Sequence, residues 1–190
     1  MIISLEGLGV TSKERFTQHL VTHKPDDFGR VICCPSIYPR FHPEAFKGWV
    51  YAITRSTELW REATSHQPEP ITVFENSPFS ISCYVQALVA PFGDIGQQEY
   101  ELISDIIEGL AELMTPPDII VLFEPDFNKT HNYHGLSQTS LVYRHRLLVE
   151  WAEKHTAKAV YIPSYQEEAD WDLWYNQALQ KIMDTVEVTA

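Results

Sequence analysis

The chain has 190 residues, 44 % of them hydrophobic and 12 % aromatic, which suits one folded domain with a substantial core rather than a disordered chain. Its formal net charge of −12, from 26 acidic against 14 basic residues, argues against nucleic acid or an anionic membrane surface as partners. Three cysteines without disulfide or zinc spacing point to reduced thiols; with no signal-peptide core and no apolar run of membrane-spanning length, the expected setting is cytoplasmic or nuclear, not secreted.

The elements alternate along the chain. Ile2-Ile3-Ser4-Leu5 is a short apolar strand, and Gly7 and Gly9 mark a turn. From Lys13 to about Thr22 a helical pattern puts Phe16 and Leu20 on one face, until Lys24-Pro25-Asp26-Asp27 breaks it. Val31 to Cys34 is β-branched and apolar and stops at Pro35. A loop with Pro35, Pro39 and Pro43 leads into a long helix that opens at Pro43-Glu44 and carries Phe46, Trp49, Val50, Ile53, Leu59 and Trp60. Ile71 to Phe74 is a third strand running straight into Glu75-Asn76-Ser77-Pro78.

Ser80 to Val89 is expected to be helical, and Gln97 to Met114 is an amphipathic helix with Tyr100, Ile103, Ile106, Ile107, Leu110 and Leu113 on its apolar side. After Thr115-Pro116-Pro117-Asp118, the unbroken run Ile119 to Phe123 predicts a parallel strand buried on both faces. A polar loop, Glu124 to Gly135, precedes a helix from Leu136 to about Lys154, a fifth strand Ala159 to Ile162, and a last helix from about Gln166 to Met183. Five strands separated by helices predict an α/β three-layer sandwich around a five-stranded parallel sheet. Ligands in such sheets collect at the carboxyl ends of the strands, here Gly7 to Lys13, Cys34-Pro35, Glu75-Asn76-Ser77 and Glu124-Pro125.

Strand, glycine turn and helix form the context of a phosphate-binding loop. In that motif the backbone wraps a phosphate, a lysine reaches the outer phosphates and a hydroxyl holds Mg²⁺. Gly7 opens the turn and Lys13 stands in the lysine place, but Ser12 replaces the second glycine and Glu14 the hydroxyl residue. A carboxylate beside phosphate oxygens costs on the order of 1–4 kcal/mol in a surface-like dielectric. The first turn is thus either a damaged phosphate loop or an ordinary strand and helix that never bound phosphate.

Four segments in order favour the former. EGLGVTSKERF resembles the opening of deoxynucleoside and thymidylate kinases, where a glutamate-glycine pair begins the P-loop. Val73 to Ser80 is similar to their Glu-Arg-Ser segment after an apolar strand; Pro117 to Leu122 resembles the strand before the lid, and Tyr143 to Trp151 the helix after it. The resemblance implies a single P-loop nucleoside/nucleotide kinase-like domain over residues 1–190, with a lid-equivalent loop at about 124–140. It implies a phosphate site at Gly7, Gly9, Ser12, Lys13 and Glu14, and a substrate pocket at Cys34, Trp49, Glu75 and Asn76. Trp49 would stack on a base or simply fill the pocket.

The pattern departs from the family where chemistry happens. Cys34-Pro35 stands in place of a Glu-Pro pair whose glutamate is the base, and a thiol with a pKa near 8.5 is a poor substitute. Asn76 replaces an arginine. From Glu124 to Tyr143 the fully cationic side chain is Lys129, where kinases of this class use arginines. Arg144 and Arg146 follow and are read first as solvated helix residues. His131 and His134 near Asp126 read as loop residues, so no metal site is expected. Cys33 and Cys34 read as structural.

Two expectations result. One is a kinase-like protein inactive in phosphoryl transfer and kept for a binding, assembly or regulatory role, with a homodimer or another protein as partner. The other is an active, divergent deoxynucleoside or nucleoside monophosphate kinase using ATP and Mg²⁺. In that case Lys13 would hold phosphates, Glu75 (or Cys34) would serve the base or metal role, and Arg144 or Arg146 would be the lid cation. A nucleoside or nucleotide is the expected small ligand in either case.

Overall fold

The computed structural model describes residues 1–8, 11–33, 45–65, 71–78, 80, 83, 97–112, 114–127, 138–155, 158–166 and 169–189; of residues 45–49, 52, 97, 99, 100, 111 and 155 it describes the backbone alone. Within them, strands β1 (Ile2–Gly7), β2 (Arg30–Cys33), β3 (Thr72–Glu75), β4 (Ile119–Phe123) and β5 (Ala159–Ile162) alternate with helices. The helices are α1 (Lys13–Thr22), α2 (Ala45–Ser65), α3 (Gln97–Ala111), α4 (Gln138–His155) and α5 (Trp171–Thr189). The strands form one sheet in the order β2-β3-β1-β4-β5, with every pair parallel. The expected parallel α/β sheet is therefore present, and it places the first strand at its centre.

Register shows how the layers form. Ile3 pairs with Val73 and Ile119, and Leu5 with Glu75 and Val121, so these alternate residues share one face. On that face Ile3, Leu5, Val73 and Val121 pack under Phe16 and Leu20 of α1 and Trp174, Tyr175, Ala178 and Ile182 of α5. The opposite face is covered elsewhere: Phe74 lies against Trp60 of α2 and Met114, and Ile120 and Leu122 lie against Leu148 and Ala152 of α4. Sequence predicts β4 to be buried on both faces, and all five of its residues are.

Element ends shift where a specific contact outranks the pattern. β1 runs on through Glu6 to Gly7, and β3 includes Glu75, because both chains continue to pair beyond their apolar residues. α5 starts at Trp171, later than the pattern predicts, because Asp170 caps it: its Oδ1 accepts from the amides of Asp172 at 2.9 Å and Leu173 at 3.1 Å. It also continues to Thr189, where Val186 remains in the core. The predicted helix at 80–89 lies outside the described residues apart from Ser80 and Cys83. Among the described residues no helix is long and apolar enough to cross a membrane.

Candidate functional site

The carboxyl ends of β1 and β3 and the start of α1 meet at one point. Gly7 ends β1 at φ +154°, and a Cβ there would come within 3.0 Å of the Phe123 carbonyl oxygen, so the turn depends on glycine. Thr11 then turns back, its amide reaching the Leu8 carbonyl at 3.0 Å and its hydroxyl the same oxygen at 2.7 Å. Ser12 has the residue type of a helix cap but makes no cap bond with its side chain. Its Oγ instead accepts the amide of Tyr165, in the connection after β5, at 3.2 Å.

Lys13 opens α1 and is only 3 % exposed. Its Nζ lies 3.4 Å from Glu75 Oε1 and donates to Asn76 Oδ1. Burial pulls the Lys13 ammonium below its ordinary basicity; Glu75 and Glu6 oppose that shift and Arg144 adds to it. Asn76 can reach Lys13 because its backbone turns sharply after β3: φ is +59°, a left-handed conformation that asparagine tolerates better than most residues. The amide of Asn76 still bonds the Leu5 carbonyl at 3.1 Å, which ties this turn to β1.

On the other face of the sheet, Glu6 is fully enclosed. Its Oε1 accepts from the Ser4 hydroxyl and, at 2.9 Å, from the Ser77 amide. Glu6 Oε2 and Ser77 Oγ are buried and have no hydrogen-bond partner among the described residues. Ser77 lies at a strand end where the sequence places ligands, whereas Glu6 carries no motif role of its own beyond preceding Gly7. The signal for Glu6 is parity: Ser4 and Glu6 alternate with Ile3 and Leu5, so in a strand covered on both sides they form a buried polar row.

Other expected residues separate. Glu14 is exposed on the first turn of α1 and lies apart from the Lys13 contacts. Arg144 is half-buried and felt by Lys13, so it is not the solvated residue its sequence position predicts. Arg146 is exposed, 3.4 Å from Glu150 and stacked 4.8 Å from the Tyr143 ring centroid, as expected of a surface helix residue. Gly9, Cys34, residues 128–137 of the lid-equivalent loop with Lys129, His131 and His134, and the Trp49 side chain lie outside the described residues.

The cysteine that register brings to Glu75 is Cys33. Partial burial, then the Glu75 carboxylate, push its thiol up to about 11, so near neutral pH it stays protonated and is neither base nor nucleophile. Among the described residues, the first turn of α1 and the end of β3 do not offer the Mg²⁺ ligands of the phosphate-loop motif. Position 14 has no hydroxyl, Thr17 donates its own to the Lys13 carbonyl at 3.0 Å, and Glu75 faces an ammonium. Among the described residues no three His, Cys, Asp or Glu side chains are grouped to hold a metal.

This architecture has counterparts among solved structures. Deoxyadenosine kinase from M. mycoides, solved with the products dCMP and a flexible dCDP bound, superposes with a TM-score of 0.65 over 97 % of this chain and 100 % of its own at 11 % identity. Thymidylate kinase from Candida albicans superposes with a TM-score of 0.63 over 100 % of this chain and 93 % of its own at 15 % identity. The NadR protein in complex with NR gives a TM-score of 0.64 over 97 % of this chain and 50 % of its own at 16 % identity. No known family profile matches the chain, and no curated protein matches it in sequence. The chain has a P-loop nucleoside/nucleotide kinase-like fold, as its sequence motifs predict; at these identities the likeness is one of fold.

Proposed function

We propose that this protein is a kinase-fold protein that does not carry out phosphoryl transfer and serves a binding, assembly or regulatory role. The observation that carries this reading is the engagement of Lys13: the side chain that would meet outer phosphates is enclosed and held by Glu75 and Asn76. The carboxylate at position 14, where the motif has a hydroxyl, and the protonated thiol of Cys33 support it, because the first repels phosphate oxygens and the second is no base near neutral pH. Preorganised charge at the reacting phosphoryl group supplies several kcal/mol per contact in a working site, and several such contacts are replaced here.

A nucleoside or nucleotide is the small ligand proposed, since deoxyadenosine kinase of this fold is solved with dATP bound. A second copy of the chain or another protein is proposed as the macromolecular partner. Tyr51 of α2, 66 % exposed, and Leu102 of α3, 50 % exposed, present apolar surface that such a partner would cover. The single domain over 1–190 remains part of the same proposal.

One observation favours the second reading, an active divergent kinase. Arg144 acts on Lys13, so a second cation stands near the phosphate end of the cleft. The test is nucleoside and deoxynucleoside phosphorylation with ATP and Mg²⁺, using protein freed of host kinases. No turnover is expected. Turnover that both Lys13→Ala and Arg144→Ala abolish would establish the active enzyme instead.

A further inference from the structure

Two positions of the site do more than lack their expected chemistry. Where a P-loop has its second glycine, the Ser12 hydroxyl holds the amide of Tyr165 at 3.2 Å and so ties the start of α1 to the connection after β5. Immediately after β3, Asn76 takes φ +59° and thereby directs its amide oxygen to Lys13 Nζ. That ammonium also lies 3.4 Å from Glu75 and is almost wholly enclosed. Its donors therefore have acceptors inside the protein before any phosphate arrives. An anion reaching Lys13 must displace Asn76 and compete with a carboxylate in a site where burial already disfavours the charge.

The geometry points to an internal latch: Asn76, with Glu75, occupies Lys13, and Ser12 anchors the loop to Tyr165, so the anion site is closed by the chain's own side chains rather than dismantled. This deepens the proposed function and rests on its reading of the β1–α1 turn as the anion end of the cleft. It assigns weakened phosphate binding to a contact that a single side chain controls. A closed site of this kind lowers apparent affinity by the fraction of molecules in which it is open.

Asn76→Gly is the informative substitution, because glycine accepts the left-handed backbone at no steric cost while removing the side chain that holds Lys13. The probes are pyrophosphate and ADP without Mg²⁺, measured by calorimetry on the full chain. Relative to wild type, Asn76→Gly should bind both at least about tenfold more tightly, and Ser12→Gly added to it should raise affinity further. Lys13→Ala in the Asn76→Gly background should remove the gain. Unchanged affinity in Asn76→Gly, or a gain that survives Lys13→Ala, overturns the latch.

A second readout guards against a poorly folded variant. Asn76→Asp also tolerates this backbone and should hold Lys13 harder, so acylation of Lys13 by an amine-directed reagent, followed by mass spectrometry, should slow below wild type. A rate equal to or above wild type also overturns the proposal. Kinase turnover by the wild type would end the functional reading above, while the comparison of Asn76 variants would still decide the latch.

Discussion

The two faces of β1 are equally enclosed but are built from opposite chemistry. Ile3 and Leu5 look toward α1 and α5, where Phe16 sits 5.3 Å from Phe123 and 4.9 Å from Tyr175 between ring centroids. Ser4 and Glu6, one residue out of phase, look the other way into a hydrogen-bonded group with Ser77. The apolar face gains its stability from area removed from water and from close packing. The polar face contributes only through the bonds that Glu6 Oε1 accepts, since Glu6 Oε2 and Ser77 Oγ have no partner among the described residues. Burial alone therefore does not separate core from site; the presence of buried polar atoms does.

Substitutions can break this comparison. The largest effect is expected on the apolar face: Phe16→Ala should destabilise by about 3–5 kcal/mol in urea unfolding, because its ring is replaced by a cavity among Phe123, Trp174 and Tyr175. A loss below about 1 kcal/mol would mean that the aromatic cluster relaxes around the gap. On the polar face, Glu6→Ala should cost about 2–3 kcal/mol, since the Ser4 hydroxyl and Ser77 amide both lose their acceptor in a buried setting. Glu6→Gln keeps an oxygen at that point and should cost clearly less. Equal losses in the two variants would show that the charge, not the acceptor, is what the polar face needs.

The smallest effect lies at the rim, where Cys33 ends the edge strand beside Glu75. Its thiol ordinarily ionises near 9.0 and is pushed up to about 11 in the folded protein. The unfolded chain therefore releases this proton first, so the stabilisation is whole below 9.0 and is lost as pH rises toward 11. Wild type should lose stability relative to Cys33→Ser across that interval, by less than about 1 kcal/mol because the strand end is exposed to solvent. The Lys13 shift runs the other way, since a lowered ammonium pKa adds stability as pH rises, but it is common to both proteins and cancels in the difference. A difference that stays flat from pH 8 to 11 would mean that the thiol is neither shielded from water nor close to Glu75.

Much of this arrangement was legible in the chain. Short β-branched runs between helical patterns, the unbroken Ile119–Phe123 and the glycine turn before Lys13 identify a parallel sheet with a phosphate-loop-like first turn. The departures at Ser12, Glu14 and Asn76 were equally legible, because a motif names the residue types its chemistry needs. Cys34 matches the place of the catalytic base through its proline neighbour and lies outside the described residues. The cysteine that register pairs with Glu75 is Cys33, a partnership set by strand pairing and not by any local motif.

The sequence by itself determined the fold class, the position of the candidate site and the absence of standard residues from it, because periodicity and motif spacing are local properties of the chain. Only the tertiary structure decided what the substituted residues do. Ser12 and Tyr165 are 153 residues apart and Lys13 and Asn76 are 63 apart, so their contacts exist only once β3 and β5 take their places in the sheet beside β1 and β4. Arg144 and Arg146 follow the same logic. Two positions apart on one helix, they point about 160° apart around its axis, so Arg144 is half-buried and acts electrostatically on Lys13 while Arg146 is exposed beside Glu150.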